Sequence, residues 1–109
     1  MQEPFNAFLE PQTSYAGQLL NGIYKDYYVT TDENIQVNNL PNNAARVDLT
    51  DTSGVLASVP VSGGTAKLDV GKYHFPLAAN IKAYDSNNVL ITSTPTQVSI
   101  FGGDVYSVR

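Results

Sequence analysis

The stretch Arg46 to Ser58 and the stretch Asn80 to Thr92 carry the same unit twice, and no other feature restricts the possible folds as much. Arg46-Val47-Asp48-Leu49-Thr50-Asp51-Thr52-Ser53-Gly54-Val55-Leu56-Ala57-Ser58 aligns over Asn80-Ile81-Lys82-Ala83-Tyr84-Asp85-Ser86-Asn87-Asn88-Val89-Leu90-Ile91-Thr92. Both turns open on an aspartate, whose carboxylate can accept from the backbone two residues on. They close on Gly54 and Asn88, the residue types that best tolerate a positive φ. This is the chemistry of a type I turn ending in a left-handed bulge residue, so each unit is predicted as a β-hairpin. Apolar residues alternate on both sides. Val47 and Leu49 face Val55, Ala57 and Val59, and Ile81 and Ala83 face Val89 and Ile91, which gives each hairpin one face to bury.

A chain of 109 residues accommodates one two-layer core. With 42% hydrophobic and 15% charged residues it has ample material for that core and is not composed like a disordered chain. A net charge of -4, with only six basic residues spread along the chain, argues against nucleic acid, whose phosphates need clustered Lys and Arg, and against anionic membrane surfaces. There is no cysteine, so disulfides, thiolate metal sites and cysteine nucleophiles are excluded. No apolar run approaches membrane-spanning length, so no membrane insertion is expected. Met1-Gln2-Glu3-Pro4 lacks the basic start and apolar stretch of a secretory signal. Read as a natural start, it predicts a chain not exported by the general route.

Residues 1–28 are irregular and aromatic, with Phe5, Phe8, Leu9, Tyr15, Leu19, Leu20, Ile23, Tyr24, Tyr27 and Tyr28. They are read as an N-terminal arm or first strand, with Asn21-Gly22 as a type I′ hairpin turn between Leu19-Leu20 and Ile23-Tyr24. Residues 29–109 are read as the sandwich domain. Ile35 and Val37 point inward from a strand, and Pro60 ends the first hairpin. Ser62-Gly63-Gly64 turns the chain into an alternating strand with Ala66, Leu68 and Val70 on one side. After the second hairpin, Thr96 to Phe101 is a strand, Gly102-Gly103 a turn and Asp104 to Val108 the last strand. The fold class is all-β: a single Ig-like or jelly-roll-like antiparallel β-sandwich of about seven or eight strands with an aromatic arm.

The run Val47 to Leu56, followed by Gly64-Thr65-Ala66 and Val70-Gly71-Lys72-Tyr73, resembles the immunoglobulin-like and carboxypeptidase-regulatory-like (transthyretin-like) sandwich modules of extracellular and virion proteins. In those a strand, an Asp-x-x-Gly turn, a strand, a small-residue strand and a Gly-Lys-Tyr corner recur. The resemblance spans Leu40 to Thr94. It implies a sandwich that serves as spacer, adhesive unit, glycan binder, capsid decoration or tail appendage; fold is shared in such modules more reliably than function.

The catalytic readings fail for want of parts. His74 is the only histidine, and no nucleophile elbow or oxyanion loop accompanies it. One histidine without cysteine cannot supply the usual zinc or copper ligands. Asp48, Asp51, Asp32, Glu33 and Asp85 lack calcium-loop spacing and read as turn-capping acids. No cofactor or metal is therefore expected. Tyr24, Tyr27 and Tyr28 offer sugar-stacking faces, but Tyr27 and Tyr28 are adjacent and point to opposite sides of a strand. Tyr24 and Tyr27 are accordingly the glycan-binding candidates. Phe5, Phe8, Leu9 and Tyr15 are the partner-binding candidates, because the arm carries more aromatic surface than so small a domain needs to cover its own edge. The resulting expectation is a non-enzymatic structural subunit of a macromolecular assembly, a virion decoration, cement or tail-accessory protein. It would contact other protein subunits and form a homo-oligomer or part of a larger assembly. The alternative is a spacer or glycan-binding module of an extracellular, cell-surface protein.

Overall fold

The computed structural model describes residues 13–15, 18–20, 22–28, 33–73 and 75–109. The described elements are strands: β1 (Thr13–Tyr15), β2 (Gln18–Leu20), β3 (Ile23–Tyr28), β4 (Asn34–Asn38), β5 (Ala44–Asp51), β6 (Gly54–Pro60), β7 (Ala66–Asp69), β8 (Leu77–Asp85), β9 (Leu90–Ser93), β10 (Val98–Ile100) and β11 (Asp104–Val108). Nine of them build two sheets. One runs β10-β8-β5-β6, with β9 also on β8, and the other runs β3-β11-β4-β7; among the described residues β1 and β2 pair only with each other.

Both repeated units are hairpins, β5-β6 and β8-β9, and their turns work as the side chains require. Asp51 Oδ1 accepts from the Ser53 amide at 2.8 Å, and Asp85 Oδ1 accepts from the Asn87 and Val89 amides at 2.8 and 2.9 Å. Gly54 and Asn88 hold φ of 128° and 64°. Each hairpin also contains a register shift, between Leu49 and Thr50 and between Ala83 and Tyr84. Those bulges change which residues face inward. Leu49 pairs with Ala57 as expected, but past the bulge Thr50 pairs with Val55, so Val55 turns outward and is 61% exposed. Val89, also expected inward, is exposed, whereas Ile91 is fully buried.

The core lies between the sheets. Ile23, Ile35, Val37, Ala66, Leu68, Val70, Tyr106 and Val108 come from one layer, and Val47, Leu49, Ala79, Ile81, Ala83, Ile91 and Ile100 from the other. Alternation produces this directly: β7 reads buried, exposed, buried, exposed, and the even positions of β8 stand half-buried between buried odd ones from Ala79 to Asp85.

The sheets depart from the sequence expectation in three ways. The two sheets hold nine strands instead of about eight, with β9 and β10 both lying along β8 on either side of residues 94–97. One pairing is parallel: β11 runs alongside β4, setting Tyr106 against Val37. Among the described residues β2 and β3 do not pair as the Asn21-Gly22 hairpin would require: β2 pairs with β1 and β3 with β11. Gly22 instead prolongs the second ladder, its N–H donating to the Arg109 carbonyl and its carbonyl accepting from the Arg109 amide, both at 2.9 Å. A full ladder that buries Ile23 and Val108 outweighs a two-residue turn. A side chain at position 22 would also meet the Ser93 carbonyl at 3.2 Å.

The two lateral edges differ. On one side, β6 and β7 lie close, and the Tyr73 hydroxyl donates to the Leu56 carbonyl at 2.9 Å, covering an edge acceptor. On the other side, β3 and β10 are the edges, and the Lys25 ammonium reaches across to the Ser99 carbonyl at 3.3 Å.

Candidate functional site

A third bulge, in the β3-β11 pair, decides which tyrosines come together. Tyr28 pairs with Asp104 and Tyr27 with Val105, then the register shifts over Asp26 so that Lys25 pairs with Tyr106, Tyr24 with Ser107 and Ile23 with Val108. Directly opposed residues share a face. Tyr28, Lys25 and Ile23 therefore lie on the side of Asp104, Tyr106 and Val108, which faces the other sheet. Tyr24 and Tyr27 lie on the outer side with Val105 and Ser107.

The glycan candidates Tyr24 and Tyr27 thus share a face, which plain alternation would have denied to residues three apart. They do not form a clear platform. Tyr24 is half-buried, with the Arg109 guanidinium 5.5 Å from its ring centre, and Arg109 is paired with Asp26. The Ser107 hydroxyl and then Arg109 hold the Asp26 carboxyl below the ordinary carboxylate range, against a rise from burial. Tyr27 is 58% exposed. Of the partner candidates, Tyr15 ends β1, and Phe5, Phe8 and Leu9 lie outside the described residues, as does His74.

The inward side of the same strand leads to a more developed site. Where the chain crosses from β10 in one sheet to β11 in the other, Phe101, Gly102 and Gly103 make the turn, with Gly103 at a φ of 90°. Between this turn and β3 lies an open groove of about 560 Å³ lined by Lys25, Tyr28, Phe101, Gly102 and Asp104. Tyr28 is 63% and Phe101 44% exposed, and Phe75 extends the aromatic surface, its ring 6.4 Å from that of Phe101 and tilted by 36°.

Asp104 forms the floor. It is 2% exposed, and its Oδ2 accepts from the Phe101 amide at 2.9 Å, the Tyr106 hydroxyl at 3.0 Å and the Lys25 ammonium at 2.9 Å. A buried carboxylate persists when donors and a countercharge surround it, and here they do. The Tyr106 hydroxyl is pushed far above its ordinary range, first by burial, then by the charge of Asp104 and its hydrogen bond to that carboxylate. Lys25 also stands 5.4 Å from the centre of the Phe101 ring and 5.9 Å from that of Tyr106. A second hollow, of about 420 Å³, continues on the far side of Lys25, between β3 and the segment from Pro95 to Ser99.

Three of the acidic candidates are engaged in the fold, and Asp32 lies outside the described residues. Asp48 accepts from the Ser58 hydroxyl at 2.6 Å and pairs with Arg46 at 3.2 Å, while Asp51 and Asp85 cap their turns. Among the described residues no three His, Asp or Glu side chains gather as a metal site. Sequence reasoning missed Lys25, Phe101 and Asp104. Gly102-Gly103 marked a turn there, but nothing local marked the bulge at Asp26 that brings Lys25 and Tyr28 to one side. Comparison of the chain with protein-family models, with curated proteins and with solved structures finds no match.

Proposed function

We propose that this chain is a non-enzymatic structural subunit of a macromolecular assembly, of the kind that decorates or cements a virion shell or serves a virion tail, and that it works through contacts with neighbouring protein subunits, copies of itself among them. The observation that carries this reading is the β1-β2 ribbon, which among the described residues is bonded into neither sheet and lies beside β9. A two-stranded ribbon on its own is marginal in water and gains its stability from whatever it packs against. This ribbon follows the segment that holds Phe5, Phe8 and Leu9 and itself ends β1 on Tyr15, so a neighbouring subunit is a fitting surface for it. The likeness to immunoglobulin-like and transthyretin-like modules supports the architecture alone.

Sedimentation velocity tests the reading. The full chain is expected to form a discrete oligomer at micromolar concentration. A chain lacking Met1 to Gln18 is expected to keep its β-sheet circular dichroism and sediment as a monomer. A truncated chain that assembles like the full one, or a full chain that stays monomeric, would refute it.

A further inference from the structure

Apart from any subunit contact, the groove beside Lys25 has the makings of a ligand site, and we infer that it binds a neutral saccharide through Tyr28, Phe101 and Lys25. Three observations carry this. First, about 560 Å³ falls within the roughly 300–1,000 Å³ of small-ligand sites. Second, the walls are aromatic rings exposed to solvent, Tyr28 on one flank and Phe101 with Phe75 on the other, and such faces suit the C–H face of a pyranose. Third, the polar groups are arranged for hydroxyls and not for ions. Lys25 and Asp104 cancel one another at 2.9 Å, leaving the groove neutral in a chain of net charge -4. The ammonium directs two of its three protons to Asp104 and Ser99, and among the described residues the third has no acceptor. A sugar oxygen is an acceptor of the right kind, and it arrives with no charge to desolvate.

The geometry also separates this site from the Tyr24 and Tyr27 pair. Because the register shift over Asp26 puts Tyr28 and Tyr27 on opposite faces, a sugar stacked on Tyr28 and Phe101 leaves Tyr27 untouched.

The test is a two-dimensional amide NMR titration of the full chain with maltose, cellobiose, lactose and mannobiose at millimolar concentration. At least one of the four is expected to shift the amides of Lys25, Tyr28, Phe101 and Gly102. Phe101→Ala and Tyr28→Ala are each expected to weaken binding about tenfold, the loss of one stacking face. Both side chains are exposed enough for these variants to fold, and Tyr27→Ala is expected to bind as the parent does. Silence with all four sugars would overturn the proposal, as would shifts centred on Tyr24 and Tyr27. N-acetyl-tyrosinamide perturbing the same amides while the sugars do not would also overturn it, and would assign the groove to an aromatic side chain of a protein partner. Sugar binding is read on the monomer as well as on any oligomer, so its failure is distinct from a failure to assemble.

Discussion

Asp104→Ala is the substitution whose cost the structure specifies best. The carboxylate accepts from three donors, and their losses are unequal. Lys25 has 38% of its side chain in solvent and can turn to water, so its pairing is worth about 0–1 kcal/mol. The Phe101 amide is only part-buried and can be hydrated. The Tyr106 side chain is 1% exposed, so its hydroxyl would be stranded without a partner, which costs about 1–3 kcal/mol. The sum is about 1–4 kcal/mol, a large share of the roughly 5–15 kcal/mol that holds a domain of this size together. Urea unfolding followed by tyrosine fluorescence reads it, the chain having seven tyrosines and no tryptophan. With the slope usual for small domains, the midpoint should fall by about 1–3 M. A double-mutant cycle isolates the cause. Tyr106→Phe alone should cost about 1 kcal/mol, and in that background Asp104→Ala should cost about 1–2 kcal/mol less than in the parent, because no hydroxyl is left to strand. A cost below about 0.5 kcal/mol, or a cycle that is additive, would refute the view that Asp104 anchors this corner.

Two further outcomes follow from the same core. The hydroxyl of Tyr106 has its pKa raised in the folded state, so the stability tied to its neutral form is fully present below the unfolded tyrosine value, about pH 10, and declines as pH rises beyond it. Urea midpoints measured on both sides of that pH should therefore fall more for the parent than for Tyr106→Phe; equal falls would contradict the burial of an ionisable hydroxyl. Thr92 faces Ala83 across the β8-β9 pair with its hydroxyl buried and, among the described residues, unbonded, so Thr92→Val should be neutral or stabilise the fold by up to about 1 kcal/mol in thermal unfolding.

What could be read ahead of the structure was whatever is written within a few residues. Asp51 with Gly54, and Asp85 with Asn88, set their turns by local chemistry, and both hairpins formed where those residues stand. Alternation located Ile35, Val37, Ala66, Leu68 and Val70 on inward faces. The failures share one cause. Val55 and the grouping of Tyr28 with Lys25 both depend on β-bulges, and a bulge is a relation between two strands, invisible in the periodicity of either. Gly22 illustrates the same limit: the local signal for a hairpin was sound, yet the competing partner was Arg109, at the other end of the chain. The groove was illegible for a related reason. It is assembled from β3 and from the crossing between β10 and β11, segments that no short motif connects.

The difference between the two lateral edges bears on how this surface can be used. On the β6-β7 side a tyrosine hydroxyl closes an edge carbonyl; on the β3-β10 side the Lys25 ammonium spans the sheets, with a hollow on either flank. An open edge invites another strand, but β3 carries Lys25 and Asp26 at its centre, and charges in that position oppose continued sheet pairing. Two copies joined antiparallel through β3 about a two-fold axis would, in the registers centred there, set Lys25 against Lys25 or Asp26 against Asp26, with like charges directly opposed. Recognition at this edge is thereby directed away from backbone hydrogen bonds and toward side chains, where Tyr28, Phe101 and Phe75 provide area and Lys25 provides a donor. Asp104 makes the arrangement self-consistent. By holding Lys25 across the gap it supports the groove and also keeps in place the charge that discourages strand addition at the edge beside it.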